Sequence, residues 1–244
     1  MIPLRDNIPS RRFPIVNWLL IAANVLVFLF EISLGQGRLE QLIMSYGLVP
    51  ARIAADPASN WLTIFTSTFL HGGWLHLISN MLALFIFGDN IEDRMGHLAY
   101  LFFYVAGGFA AGLLHILTNL GSAVPTVGAS GAIAAILGAY LILYPRARIL
   151  TIIPIFFFIQ VIHIPAPIYL IFWFISQLFN GAAQIVSNTY QDGGVAWWAH
   201  IGGFIFGALI ALLFYRRRSP RVRSVWDQPE VITNDPYRDN DPYR

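Results

Sequence analysis

Six apolar stretches, at residues 14–34, 75–94, 97–117, 130–144, 165–178 and 197–215, leave this chain little choice of solvent. Crossing a hydrocarbon core about 30 Å thick takes about 20 apolar residues in a helix, fewer where the helix starts below the surface. Composition agrees, because 57% of the 244 residues are hydrophobic and only 11% are charged, too apolar a balance for a soluble domain of this size. Backbone in lipid must satisfy its own hydrogen bonds, so the expected class is all-α, a polytopic membrane bundle of six transmembrane helices. The fifth stretch carries the weakest signal, since Pro154, Pro165 and Pro167 interrupt its approach. The polar start MIPLRDNIPSRRFP runs into the first stretch with no small-residue cleavage site after a short core, so that stretch reads as a retained span.

An even number of spans puts both termini on one side, and the arginines choose the side. All 15 basic residues are arginine. Arg5, Arg11, Arg12, Arg94, Arg146, Arg148, Arg216, Arg217, Arg218, Arg221 and Arg223 lie on the terminal side, against Arg38 and Arg52 opposite. Both termini are therefore expected in the cytoplasm, and a bacterial plasma membrane is the expected location. Three regions follow: a cytoplasmic segment 1–13, a membrane domain 14–215, and a basic tail 216–244. The prolines, charges and repeated DPYR of that tail argue for disorder. Arginines in scattered blocks and a net charge of +2 make nucleic acid a poor partner. With no cysteine there is no disulfide framework, thiolate nucleophile or cysteine metal site.

Polar groups inside spans are costly and so mark function or packing. His76 and Asn80 on the second span, Ser130 opening the fourth and His200 near the start of the sixth stand out. Spans two, four and six all enter from the non-cytoplasmic face. Asn80 to Arg94 and Ser130 to Tyr144 are each fourteen positions and His200 to Tyr215 fifteen, about 21–23 Å of helix, so the depths match. At that depth only a water-filled cavity would keep such groups solvated. Small residues allow close backbones: Gly131-x-x-x-Ala135 and Ala134-x-x-x-Gly138 on the fourth span, Gly203-x-x-x-Gly207 on the sixth. Such pairs serve ordinary packing elsewhere, and gain meaning here from Ser130 and His200 at equal depth.

His76 and Asn80, four apart, share a helical face and could donate to one developing oxyanion. The plainer reading of Asn80 is an interhelical hydrogen bond. His97, His115 and His163 lack a patterned partner and read as core or interface histidines. Zinc chemistry is disfavoured, since His71, His76 and His200 come without H-E-x-x-H or a neighbouring acid. GASGA at 128–132 lacks the second glycine of G-x-S-x-G, which excludes the α/β-hydrolase elbow. A serine hydrolase dyad remains, with no buried acid evident to orient His200. A transporter is the weaker alternative, because no inverted repeat or intramembrane acid is visible.

These residues resemble the rhomboid family of intramembrane serine proteases from the first span to the sixth. HGGWLHLISNML is similar to the family's H-x-x-x-x-H-x-x-x-N segment, GDNIEDRMGH to its charged turn, GASGA to its G-x-S-G nucleophile motif and AHIGGFIFG to its closing histidine motif. The resemblance implies Ser130 as nucleophile and His200 as general base. His76, Asn80 and the Ser130 N–H would be the oxyanion donors, and His71 a supporting histidine. It also implies that loop 38–70 lies partly in the outer leaflet, and that the fifth span with its cap at 188–195 moves to admit substrate. No metal or cofactor is implied. The expected partners are transmembrane protein substrates and the lipid bilayer, and the expected activity is endopeptidase cleavage near the outer boundary. A non-catalytic membrane chaperone or adaptor on the same fold is the alternative. Two positions depart from the family pattern: Leu62 and Thr63 follow Trp61 where many members have an arginine to pair with Glu92, and Ala134 stands where some carry an aromatic that stacks on the histidine. Trp197 or Trp198 is then the expected support for His200.

Overall fold

Each apolar stretch folds as helix, short helices follow the first, and a small sheet includes Arg5 and Arg148. The computed structural model describes residues 1–155, 158–187 and 195–215. The principal helices are α1 (Ile15–Ser33), α2 (Gln36–Tyr46), α3 (Pro50–Ala55), α4 (Trp74–Met95), α5 (His97–Thr118), α6 (Ser130–Leu143), α7 (Ala166–Ser187) and α8 (Trp197–Ile210). Five of them, α1, α4, α5, α7 and α8 with its extension to Phe214, are long and apolar enough to cross a membrane. The fourth stretch forms α6, whose 14 residues span only about 21 Å. A polytopic helical membrane protein is what these elements make. The cap at 188–195, apart from Val195, and the tail 216–244 with its seven arginines lie outside the described residues.

Two sequence expectations need correction. The fifth span does not end at 178 but runs from Ala166 to Ser187. Pro165 and Pro167 flank its first residue, where a missing N–H forfeits no helical bond, so they start the helix and do not break it. The approach to it is not irregular: β2 (Arg148–Ile155) and β3 (Phe158–Pro165) pair antiparallel, from Arg148 opposite Pro165 to Ile155 opposite Phe158. Both strands, RILTIIPI and FIQVIHIP, are rich in the β-branched residues that suit a pleated surface. β1 (Ile2–Asp6) adds to the other edge of β2, with Ile2 opposite Ile152 and Asp6 opposite Ile149, giving the order β1-β2-β3. The helical class thus stands with a three-stranded sheet added.

Buried polar residues tie the sheet and the first three spans together. Asp6 accepts from the Tyr140 hydroxyl and, at 3.0 Å, from Asn90 Nδ2. Burial pushes its carboxyl up to about 7, with Asp89 nearby reinforcing the shift and the Tyr140 hydrogen bond opposing it. Glu92 accepts from the backbone N–H of Val16 at 2.9 Å and of Asn17 at 2.7 Å, capping the start of α1, and also pairs with His97. It has these partners with no arginine directly after Trp61. α4 widens into a π-helical turn at Leu84–Gly88. There the Leu84 carbonyl accepts from Asn17 Nδ2 at 2.9 Å, and Asn17 Oδ1 accepts from the Tyr100 hydroxyl at 2.8 Å.

At the centre stands α6, buried at every position from Gly131 to Tyr140 and packed against α5 and α8. The crossing with α8 is as close as backbones permit. A Cβ on Gly203 would strike the Gly131 carbonyl, one on Gly207 the Ala135 carbonyl, and one on Gly138 the Phe204 carbonyl. The small-residue pairs read from sequence thus meet each other across one interface.

Candidate active site

Close approach of α6 and α8 brings the first residue of one helix to the first turn of the other. Ser130 opens α6 and His200 lies three residues into α8. Ser130 Oγ is 2.8 Å from His200 Nε2. His200 is buried, and Ser130 half-buried.

The far side of the imidazole is held by α7. His200 Nδ1 lies 2.8 Å from Gln177 Oε1, while Gln177 Nε2 donates to the Trp173 carbonyl at 3.0 Å and to Ser176 Oγ at 2.9 Å. Those two acceptors fix which end of the amide is oxygen. Since Oε1 can only accept, Nδ1 carries the ring proton, and the lone pair of Nε2 faces the serine hydroxyl. Trp173, one turn before Gln177, lies over the imidazole with ring centres 5.7 Å apart and planes inclined by 34°. Trp197 meets it edge-on at 6.3 Å. Support for the ring thus comes from Trp197, one of the two α8 tryptophans expected from sequence, and also from Trp173 and Gln177 on α7, which were not expected. Gln177 lies at the edge of the fifth span as read from sequence, and the depth comparison took in only spans two, four and six. With the helix running to Ser187, Gln177 sits well inside it, and the rule that flagged Ser130 and Asn80 would have flagged Gln177 too.

His76 and Asn80 approach the serine from α4. Their target is Gly128, two residues before Ser130, with a φ of +128° that favours glycine. A Cβ there would lie 2.6 Å from His76 Nε2 and 3.7 Å from Asn80 Nδ2. Asn80 Nδ2 donates to His71 Nε2 at 3.1 Å, and His71 Nδ1 lies 3.3 Å from the Phe69 carbonyl, so His71 carries its proton on Nδ1. The backbone N–H of His71 donates to both oxygens of Glu31, at 3.1 and 3.2 Å. His71 is therefore a strut between α1 and Asn80. The Ser130 N–H heads a helix, where the first amides have no intrahelical partner and carry the positive end of the dipole.

Behind Ser130 lies a cavity of about 30 Å³ bordered by Ser67, His115, Thr126 and Gly131 among others, room for about one water. His115 has a partner there: its Nε2 is 2.9 Å from Thr126 Oγ1, tying α5 to the segment that leads into Ser130. His97 pairs with Glu92, and His163 lies on β3, away from Ser130. Three buried polar residues of α1, Asn17, Asn24 and Glu31, went unmarked in the sequence reading. Asn17 and Glu31 brace the helices that carry the site.

A bundle of apolar helices enclosing a hydrogen-bonded serine and histidine, with an amide and a second imidazole alongside, defines a polytopic membrane protein with a polar centre. The chain belongs to the rhomboid family: the model of the Rhomboid domain matches residues 58–217. It is 28% identical over 227 residues to the mitochondrial presenilin-associated rhomboid-like protein of Homo sapiens, covering 89% of this chain and 53% of that one. It is 30% identical over 202 residues to Rhomboid protease GluP of Bacillus subtilis, covering 82% of this chain and 35% of that one. To the mitochondrial Rhomboid protein 1 of Saccharomyces cerevisiae it is 29% identical over 158 residues, covering 63% and 42% respectively. The chain thus spans about half the length, or less, of these relatives.

Proposed function

We propose that this protein is an intramembrane serine endopeptidase that hydrolyses peptide bonds of transmembrane protein substrates. The observation that carries the reading is the 2.8 Å approach of Ser130 Oγ to a His200 Nε2 whose lone pair is free to take its proton. Ser130 Oγ attacks the scissile carbonyl carbon while its proton passes to Nε2. The carbonyl oxygen becomes an oxyanion facing the Ser130 N–H, His76 and Asn80, donors fixed in place before the charge develops. The imidazolium then returns the proton to the departing amine, leaving an acyl ester on Ser130. Water attacks that ester with His200 again as base, and the acid leaves. His71 supports Asn80 and takes no part in proton transfer.

The substrates fitting such a buried site are single-span proteins whose small or helix-breaking residues let the chain unwind. Family membership and a relative named a protease support this activity. The named relatives are mitochondrial as well as bacterial, so the reading extends to an integral membrane protein with its termini on the arginine-rich side, and not to a bacterial plasma membrane in particular. A fluorophosphonate probe tests the proposal. Labelling of the wild-type chain and not of Ser130→Ala, with Ser130-dependent cleavage of tagged single-span proteins on co-expression, is the expected result. A chain that neither labels nor cleaves is the non-catalytic adaptor.

A further inference from the structure

We infer that Gln177 is a positioning residue, which holds His200 in the one tautomer and orientation able to take a proton from Ser130, and that α7 thereby controls the pair carried by α6 and α8. The inference rests on the proposed hydrolase reading and adds to it the group that orients the base. Four observations support it. Gln177 is buried, so its amide oxygen is desolvated and has a 2.8 Å partner in His200 Nδ1. Its Nε2 has two acceptors within its own helix, Trp173 O and Ser176 Oγ, so the amide cannot rotate to present an N–H to the ring without losing both. Ser176 is itself anchored, its hydroxyl donating to Trp173 O at 2.6 Å. Trp173, one turn away on the same helix, covers the ring. One helix therefore supplies both an acceptor for Nδ1–H and a face for the imidazole, where Ala134 on α6 offers neither.

The chemistry explains what such a group does. A neutral imidazole has two tautomers, and only the one protonated at Nδ1 presents a lone pair to Ser130. When the serine proton arrives, both nitrogens bear hydrogen, and the dipole of the Gln177 carbonyl lies along the Nδ1–H bond that now shares the positive charge. An amide does this without a formal charge, which in a lipid-surrounded site avoids the desolvation penalty of a buried carboxylate. Because Gln177 is on a different helix from either reacting group, displacing α7 by on the order of 1 Å would stretch this bond beyond useful length. The imidazoles of His76 on α4 and His115 on α5 also face this region, and both stay constant across the variants below.

The test compares Gln177→Met, similar in shape but without the acceptor, with Gln177→Glu, which restores one with charge. Gln177→Met should lower kcat by about 10–100-fold, part of what a general base contributes, with KM nearly unchanged. Gln177→Glu should recover most of that loss and move the acid limb of kcat/KM upward by about 1 pH unit or more, because a neighbouring carboxylate favours the protonated imidazole. A bracing role alone would leave the pH profile in place. Imidazole ¹⁵N spectra in detergent, assigned by difference against His200→Gln, give a readout independent of proteolysis. Wild-type His200 should be protonated at Nδ1, and Gln177→Met should show the other tautomer or a mixture. A wild-type ring protonated at Nε2, an unchanged spectrum in Gln177→Met, or equal losses in both variants tracking thermal stability would overturn the inference. Absence of cleavage by the wild-type chain with the expected spectra would count against the protease reading and leave the role of Gln177 intact.

Discussion

At the scale of residues, the serine and the histidine act as a unit or not at all. Ser130→Ala and His200→Ala should each abolish cleavage while leaving the chain folded and inserted, and the double variant should be no worse than either, as turnover of the three purified proteins would show. Asn80 differs, because its amide has a structural partner in His71 as well as a place beside Gly128. Asn80→Ala should slow turnover by at most about 10²–10³ with little change in KM. If the His71 bond is its whole role, thermal stability falls by about 1 kcal/mol instead and the rate of the surviving protein stays near normal, so melting temperature and initial rate on one sample decide the matter. The residues on the second, fourth and sixth spans were legible because polarity in an apolar helix is conspicuous and equal depth can be counted along the chain. Gln177 was not, since it sits on the fifth span, which the depth comparison of spans two, four and six left out. The α1 polar residues were hidden differently: Asn17 and Glu31 bond to backbone groups of other elements, and no spacing within one helix records such a partner.

Among elements, the crossing of α6 and α8 is where geometry leaves least room. Gly207→Val would place a Cβ against the Ala135 carbonyl oxygen, well inside contact distance, and should cost at least the roughly 1–3 kcal/mol of an overpacked core, read as a lower melting temperature together with lost probe labelling. Gly35, with open space around the position of a Cβ, provides the control, since Gly35→Ala should leave both readouts within error. These helices were readable in the sequence because small-xxx-small pairs carry a geometric meaning of their own. The sheet was not readable. β1 is encoded in a polar terminal segment and its partner lies some 150 positions on, as Ile2 opposite Ile152 shows, so no local pattern connects them. Asp6 gives the sheet a pH signature. Its carboxyl, raised to about 7 in the folded protein, favours folding at low pH. That contribution is complete below about 4 and fades as pH rises through 7, with a slope of up to about 1.4 kcal/mol per pH unit. Asp6→Asn should flatten this part of the stability curve in unfolding series between pH 4 and 8.

For the molecule as a whole, the arginine distribution predicts the orientation. Reporter fusions to either terminus should be active only where the reporter requires the cytoplasmic side or its equivalent. Activity of a reporter that works only on the opposite side would reverse the bundle, and Ser130, His76, Asn80 and His200 would then open toward the arginine-rich face. Span count is read less directly from sequence, because α6, at 14 residues, is shorter than the five helices long enough to cross, and it packs against α5 and α8.

The sheet also has a history in time. A ribosome adding about 5–20 residues each second releases residues 2–6 well before it makes the strand they pair with at 148–155. For roughly 8–30 s, at the rates just given, four of the apolar helices can enter the bilayer while the leading strand has nowhere to go. Joining β1 to β2 then follows the synthesis of four helices, and it latches residues 2–6 to residues 149–152. Pairing of residues 2–6 with β2 would mark chains whose first four helices have found their places, and a protease cutting there during synthesis would single out the chains that have not.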